Sequence, residues 1–195
     1  MTHYLKTITK EEVSLLEAEE FNGRIILITT QEEAVKAVDY LMQFPRLGFD
    51  TETRPSFTKG MQNKIALMQI ATGDTCFLFR LNSIGIPPAL ESLLKSNCVL
   101  KIGLSLRDDF GAIRQRKNIR LANFIDLQII VHKFGIEDLS LQKIYAILFQ
   151  KKISKSQRLT NWEAETLSPF QQKYAALDAY ACLKIYNQLT AEAGY

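Results

Sequence analysis

The sequence has few of the residues that build disulfide frameworks, zinc sites or disordered linkers. Its 195 residues include 3 cysteines, 2 histidines, 9 glycines and 5 prolines. Cys76, Cys98 and Cys182 are odd in number and far apart, with no CxxC pair, which argues against both a disulfide framework and a zinc site. Because 47% of the residues are hydrophobic, the composition is that of one globular domain with a real core and excludes a largely disordered chain.

Long apolar runs are also missing. The longest uninterrupted aliphatic run, Ile25–Ile28, is far shorter than the roughly 20 residues of a transmembrane helix. The first six residues lack the apolar stretch of a secretion signal. We therefore expect a soluble, cytoplasmic protein that has no membrane partner, and no pattern in the sequence predicts its oligomeric state.

Charge is distributed unevenly along the chain. Residues 1–50 carry 5 basic and 9 acidic groups, whereas residues 101–160 carry 12 basic and 5 acidic groups. The basic middle is able to face an anionic polymer such as a nucleic acid, and an ordinary solvated surface explains the same charge. The acidic start predicts an N-terminal segment over residues 1–22, within which Lys10–Phe21 is either an exposed helix or a loosely held arm, ahead of one domain over residues 23–195.

Hydrophobic periodicity predicts an α/β fold. Leu47–Thr53 is a strand, and Lys64–Thr72 is apolar on both faces, which is typical of a buried central strand. The turn residues Gly73 and Asp74 predict a hairpin into a strand at Thr75–Phe79. Strands and helices then alternate as in a partly parallel sheet. The other predicted elements are strands at Arg24–Ile28, Val99–Gly103 and Phe124–Ile125, and helices that begin near Thr30, Pro88, Ser105 and Ser168.

Acidic residues stand at three places where the predicted core should be apolar. Asp50 and Glu52 are two apart on a strand, so their side chains leave the same face and repel each other unless a cation lies between them. Tyr174 and Asp178 are four apart on the last helix and therefore share a face. Each pattern alone has a plain structural explanation, namely an acid that reaches solvent.

Asp108 and Asp109 provide the third acidic place, near the start of the predicted helix after Ser105. Acids there are favoured by the helix macrodipole, which is again a sufficient structural reason. The conjunction of the three places is more specific, because oxygen donors from several strand ends form the sites that Mg²⁺ prefers.

The ordered motifs resemble the ribonuclease D and Werner-helicase type of 3′-5′ exonuclease, a tyrosine-containing branch of the DEDD superfamily, over roughly residues 24–190. The matching stretches are LGFDTE at 47–52, KIG at 101–103 followed by Asp109, NW at 161–162, and YAALDAYA at 174–181. The resemblance implies an α/β fold of the ribonuclease H-like kind, with a mixed five- to six-stranded sheet flanked by helices. It also implies 3′-5′ exonuclease activity on nucleic acid that has a free 3′ end, as single-stranded DNA or RNA.

The same resemblance implies catalysis with two divalent metal ions, Mg²⁺ or Mn²⁺. Asp50, Glu52, Asp109 and Asp178 would be the metal-binding acids, and two cations would stabilise both the attacking and the leaving oxygen. Tyr174 would position the attacking water, since a phenol with a usual pKa of about 10 is a poor general base.

Substrate contacts are predicted at apolar residues that stack on bases and at basic residues that follow the phosphate backbone. A plain core position or a solvated loop explains the same residues. The candidates are Thr51, Met68, Phe110, Lys152, Arg158 and Trp162.

Two positions depart from the family pattern. Thr53-Arg54-Pro55 follows the first motif, where an aromatic residue is common, and Ser105 stands where glycine is common. Neither departure removes a metal ligand. A catalytically silent nucleic-acid-binding module and an endonuclease are the alternative functions.

Overall fold

The structure is a computed structural model that describes residues 4–56 and 63–192. Strands and helices alternate along most of the chain. The strands are β1 (Glu17–Ala18), β2 (Arg24–Ile28), β3 (Arg46–Thr53), β4 (Ile65–Ala71), β5 (Thr75–Arg80), β6 (Leu100–Gly103), β7 (Phe124–Asp126) and β8 (Lys151–Lys152). The helices are α1 (Lys10–Leu15), α2 (Gln31–Leu41), α3 (Leu81–Ile84), α4 (Pro88–Lys95), α5 (Leu106–Arg116), α6 (Leu127–Val131), α7 (Leu141–Phe149) and α8 (Pro169–Glu192), with a 3₁₀ turn at His132–Phe134.

Six strands form one mixed sheet in the order β2-β5-β4-β3-β6-β7. The strand β4 pairs antiparallel with β5 and β3, whereas the pairs β2 with β5, β3 with β6, and β6 with β7 are parallel. Every residue of β4 is buried, so the predicted central strand is confirmed. The predicted α/β class and the mixed sheet of five to six strands are confirmed as well.

Helices cover both faces of the sheet. The helix α8, with α6 and α7, packs on the face that carries Leu67, Ala71 and Leu78. The helices α2, α4 and α5 pack on the other face, which carries Phe49 and Met68. Each face thus has its own hydrophobic cluster, and the sheet separates the two clusters.

Short-range signals in the sequence place the helix starts correctly. Thr30 and Glu33 form the predicted capping box at the start of α2. At the start of α8, the Gln171 amide donates to the Ser168 hydroxyl at 3.2 Å, and the Ser168 amide donates to the Gln171 side chain at 3.0 Å. These caps depend only on neighbouring residues, which is why a sequence pattern finds them.

The N-terminal segment is held against the domain by buried contacts. Ile8 and Phe21 are buried in the cluster beneath α8, and β1 pairs in parallel with β8. The alternative of a loosely held arm is therefore wrong over the described part of this segment. The sequence could not show this because the partners lie more than 120 residues further along the chain.

None of the helices within residues 4–56 and 63–192 combines the length and apolarity that crossing a bilayer requires.

Candidate active site

Three carboxylates meet where β3 and α8 run side by side. Asp50 and Glu52 lie on the face of β3 that α8 covers, and Asp178 comes from α8 itself. Carboxylate oxygens of all three residues lie within 4.8 Å of one another. The D-x-E spacing and the last helix thus bring together residues that are more than 120 positions apart in sequence.

Small residues allow α8 to approach the sheet closely enough for this meeting. A Cβ atom placed on Gly48 would lie 1.9 Å from the carbonyl oxygen of Ala179, so only glycine fits at this point of β3. Ala175, Ala176 and Ala179 are fully buried on the helix side. Gly48 and the alanines set the separation between strand and helix, and with it the separation of the acids.

The three acids resist ionisation together. Burial, followed by repulsion from the neighbouring carboxylates, raises the pKa of Asp50 well above its usual range. The same causes raise the pKa of Glu52 to about 9. Burial raises the pKa of Asp178 to about 7, against a hydrogen bond from Tyr174 and the nearby charge of Lys155, which both lower it.

Asp109 reaches the site from the other side of the sheet. It stands on α5, whose Leu106 and Ile113 belong to the opposite cluster, and its carboxylate accepts a hydrogen bond from the Thr51 hydroxyl. Burial is the main cause that raises the pKa of Asp109 to about 6. Asp109 is close enough to raise the pKa of Asp50 and Glu52, but it is not among the three acids that meet within 4.8 Å.

The turn before α5 explains why glycine is common at position 105 in the resembling family. Ser105 has φ 60°, in the left-handed region that favours glycine. The carboxylate of Asp126 accepts from the amides of Ser105 and Leu106 at 3.1 and 2.9 Å. Asp126 therefore holds the start of α5, and so the position of Asp109, in place of a side-chain cap from Ser105.

Tyr174 lies one helical turn before Asp178 and donates its hydroxyl to that carboxylate. Burial and the neighbouring acids raise the pKa of the phenol, so its hydroxyl keeps its proton. The ring of Trp162 packs against the Tyr174 ring, with centroids 6.0 Å apart. Trp162 is fully buried, so it contacts the Tyr174 ring from the interior of the protein and presents no surface to solvent.

A buried arginine anchors the loop that carries Trp162. The guanidinium of Arg80, at the end of β5, donates to the backbone carbonyls of Ala164 and Glu165. Only 2% of Arg80 is exposed. The loop between β8 and α8 is thereby tied to the sheet next to the acids.

A cavity of about 280 Å³ opens over Asp50, Tyr174 and Asp178. Two cations line it: Lys155 acts on the charge of Asp178, and Arg158 acts on the charge of Glu52. Neither cation forms an ion pair with an acid in the part of the chain that the structure describes. The predicted substrate contact at Arg158 thus lies at the cavity. Lys155, three residues earlier in the chain, lies there too.

Three other predicted substrate contacts do not line the cavity. Met68 is fully buried in the cluster on the opposite face, so it presents no surface to a substrate. Phe110 packs edge-on against Phe124, with ring centroids 5.1 Å apart, beside the same cluster. The ammonium of Lys152 donates to the Ser14 carbonyl at 2.6 Å and so holds the N-terminal segment.

Gln69 is a polar residue next to the site, and the otherwise apolar pattern of β4 gives no sign of its role. It lies opposite Asp50 in the β3–β4 ladder, hence on the same face of the sheet. Its side chain is fully buried, and neither its amide nitrogen nor its oxygen has a hydrogen-bond partner in the described residues. Buried polar groups usually have partners, so Gln69 and Asp50 together mark a strongly polar spot inside an otherwise apolar layer.

The donor set fits a hard divalent cation. Buried carboxylates that lie this close and lack a paired cation are costly, and a metal ion with oxygen ligands removes that cost.

Sequence comparison assigns the chain to a family of phosphodiester-cleaving enzymes. A profile of the 3′-5′ exonuclease family matches residues 25–193, and the chain therefore belongs to that family. It is 30% identical over 149 residues to the mouse bifunctional 3′-5′ exonuclease/ATP-dependent helicase WRN, and 32% identical over 165 residues to exonuclease 3′-5′ domain-containing protein 2 of Drosophila melanogaster. These matches cover 73% and 83% of the chain but only 11% and 28% of the two relatives.

Solved structures show the same fold. The Nibbler EXO domain of Aedes aegypti superposes with a TM-score of 0.81 at 22% identity, covering 91% of this chain and 93% of that one. Escherichia coli RNase D gives a TM-score of 0.78 at 23% identity, covering 88% of this chain and 45% of that one. The predicted ribonuclease H-like architecture is confirmed by this likeness.

Proposed function

We propose that the chain is a metal-dependent 3′-5′ exonuclease that removes nucleotides from the end of a single-stranded nucleic acid. The observation that carries the proposal is the meeting of Asp50, Glu52 and Asp178 within 4.8 Å in a chain of the 3′-5′ exonuclease family. Asp178 is buried, Asp50 and Glu52 are half-buried, and none of the three forms an ion pair within the described residues. A cluster of acids this close lowers the stability of the fold when no cation is bound, so its presence is best explained by metal binding.

Asp50, Glu52 and Asp178 would hold one or two Mg²⁺ or Mn²⁺ ions. Asp109, fixed by Thr51 at the far side of Asp50, would support the second ion. When bound, the cations would stabilise the negative charge that gathers on the phosphate oxygens and on the attacking and leaving oxygens during hydrolysis.

Tyr174 would orient the attacking water with its hydroxyl. The hydroxyl donates its one proton to Asp178, so its oxygen would accept a hydrogen bond from the water and fix the water's orientation. Trp162 holds the Tyr174 ring in place. Lys155 and Arg158 would neutralise the phosphate that enters the cavity.

The size of the cavity favours a strand end. A volume of about 280 Å³ is close to the lower end of the range for small-ligand pockets, which suits one terminal nucleotide. Among the solved structures with this fold is a complex of Trypanosoma brucei RNase D with RNA U12, with a TM-score of 0.75. That structure supports a nucleic-acid substrate for this chain.

A digestion assay tests the proposal. A 5′-labelled oligonucleotide with a free 3′ end should shorten stepwise in Mg²⁺ or Mn²⁺, whereas EDTA or a blocked 3′ end should stop the reaction. Asp50→Asn should reduce the rate more than about 100-fold, since even second-sphere changes cost about 10- to 100-fold. Asp39→Asn, on the exposed side of α2, is the matched control and should leave the rate unchanged.

Matched DNA and RNA strands in this assay identify the preferred sugar. Cleavage of a circular strand would assign the chain to the endonucleases. Undiminished cleavage by Asp50→Asn would refute the role of the acid cluster.

A further inference from the structure

Two large apolar side chains are exposed on the segments that also supply residues to the acid cavity. Leu159 is 67% exposed and Phe170 is 74% exposed. Leu159 directly follows Arg158, which lines the cavity, and Phe170 is in the first turn of α8, the helix that carries Tyr174 and Asp178. Single exposed apolar residues are ordinary, but two of them next to residues that line a charged cavity indicate a binding surface.

Hydrogen bonds join the two segments that carry these side chains. The side-chain amide of Gln171, the residue after Phe170, donates to the hydroxyl of Thr160, the residue after Leu159, at 3.0 Å. The same amide donates to the Asn161 carbonyl at 3.3 Å. The loop and the helix start therefore form one anchored rim, which we call the apolar rim, consisting of Leu159 and Phe170.

The residues next to the apolar rim have the chemistry that suits a single strand of nucleic acid. Arg158, which lines the cavity with Lys155, directly precedes Leu159, while Tyr174 and Asp178 follow Phe170 by one and two turns of α8. A strand with its terminal phosphate at the acids would have its next phosphates near the cations and its next bases within reach of the rim. Aromatic and apolar side chains next to a basic groove are the usual platform for bases of single strands.

We infer that the apolar rim binds bases upstream of the terminal nucleotide, so that Leu159 and Phe170 determine how tightly the enzyme holds strands longer than its cavity. This inference rests on the proposed function for the direction of the strand. Phe170 would stack on a base, and Leu159 would pack against the edge of that base or of its neighbour. Both residues bind substrate without taking part in the chemistry.

The test compares a thymidylate 10-mer with a thymidylate dinucleotide as substrates. In Leu159→Ala/Phe170→Ala, the KM for the 10-mer should rise about tenfold with kcat unchanged, since loss of one stacked base lowers affinity by roughly this factor. The KM for the dinucleotide should stay the same, because the dinucleotide does not extend to the rim. Phe170→Tyr should retain the wild-type KM.

The control is Val35→Ala/Met42→Ala, which removes two exposed apolar side chains at α2 on the other face of the sheet. It should change neither substrate's KM. Equal KM values for the 10-mer in the wild type and the rim variant would overturn the inference, and so would an equal rise for both lengths. Loss of self-association in sedimentation, with strand binding intact, would assign the rim to contacts between copies of the chain and would also overturn it.

A binding measurement separates this inference from the proposed function. Fluorescence anisotropy with a labelled 10-mer in Ca²⁺ reports affinity without turnover. If the wild type hydrolyses no strand yet binds the 10-mer about tenfold more tightly than the rim variant, the proposed function fails and the inference holds. If hydrolysis proceeds and the two affinities are equal, the inference fails alone.

Discussion

Buried carboxylates occur in two regions of this molecule, and they behave in opposite ways. Glu19, near the N-terminus, accepts hydrogen bonds from Tyr145 at 2.5 Å, Lys184 at 3.0 Å and Lys151 at 3.1 Å. Burial disfavours its charge, but these bonds outweigh burial and lower its pKa to about 2. Burial acts more strongly on Asp50, Glu52 and Asp178 and raises the pKa of each, and repulsion between the carboxylates raises the pKa of Asp50 and Glu52 further.

The two regions differ in the source of the positive charge that balances the carboxylates. At Glu19 the chain provides two lysines and a phenol, and the result joins the N-terminal segment to α7, β8 and α8. At the acid cluster, Lys155 and Arg158 act on the acids without forming an ion pair within the described residues, which leaves room for a metal ion. The first arrangement stabilises the fold and the second lowers its stability in exchange for a binding site.

Breaking the first region should give the largest change in stability. Glu19→Ala leaves Lys151, Lys184 and the Tyr145 hydroxyl without their shared partner and, because both lysines are partly exposed, should lower the free energy of unfolding by about 2 to 3 kcal/mol. Urea unfolding in the absence of metal measures it. The neighbour Glu20, exposed and 3.9 Å from Lys173, is the matched control, and Glu20→Ala should cost less than about 0.5 kcal/mol. Similar losses for both variants would show that the contacts of Glu19 stabilise the fold no more than an exposed ion pair does.

Breaking the second region should stabilise the metal-free protein. Asp178→Asn removes one of three mutually repelling acids, so the free energy of unfolding in EDTA at pH 8 should rise by on the order of 2 kcal/mol. Mg²⁺ should raise the melting temperature of the wild type and have little effect on the variant. Thermal melts with EDTA or Mg²⁺ measure both effects. A variant that is less stable than the wild type in EDTA contradicts the assignment of the cluster as a costly, metal-binding one.

The pH dependence of stability tests the contribution of Glu19 directly. The pKa of Glu19 is lowered from about 4.5 to about 2 on folding, so its contribution to stability is present above about pH 4.5 and is lost as the pH falls through about 2. After allowance for solvent screening we expect this contribution to be about 1 to 2 kcal/mol. The stability difference between the wild type and Glu19→Gln should therefore shrink across that interval in urea unfolding at successive pH values. A difference independent of pH would show that Glu19 acts by packing alone.

The smallest effect is expected at Gln69, the uncharged polar residue beside the acids. Replacing its unpartnered amide with an apolar group of similar size, in Gln69→Leu, should leave the free energy of unfolding unchanged or raise it by up to about 1 kcal/mol. Chemical denaturation measures the change. A loss of more than about 2 kcal/mol would show that the amide has a partner, such as a buried water molecule, that contributes to stability.

Local patterns predicted most of the sheet and the helix starts. The Gly73-Asp74 turn, the capping boxes at Thr30 and Ser168, and the apolar runs of β3 and β4 depend on residues within a few positions of one another. The spacing of Asp50 and Glu52 likewise places both on one face of a strand whatever the rest of the fold does.

Residue types and their spacing specify which positions carry acids, which face of its own strand or helix each acid occupies, and where most elements begin. Which of these faces meet depends on how the whole chain packs. That packing brings α8 to β3 at Gly48 and so delivers Asp178, brings Asp109 from the far side through Thr51, and encloses Met68 and Trp162. Period and capping act within one element, whereas packing joins elements that are distant in sequence, and this is why local patterns could not predict the meeting.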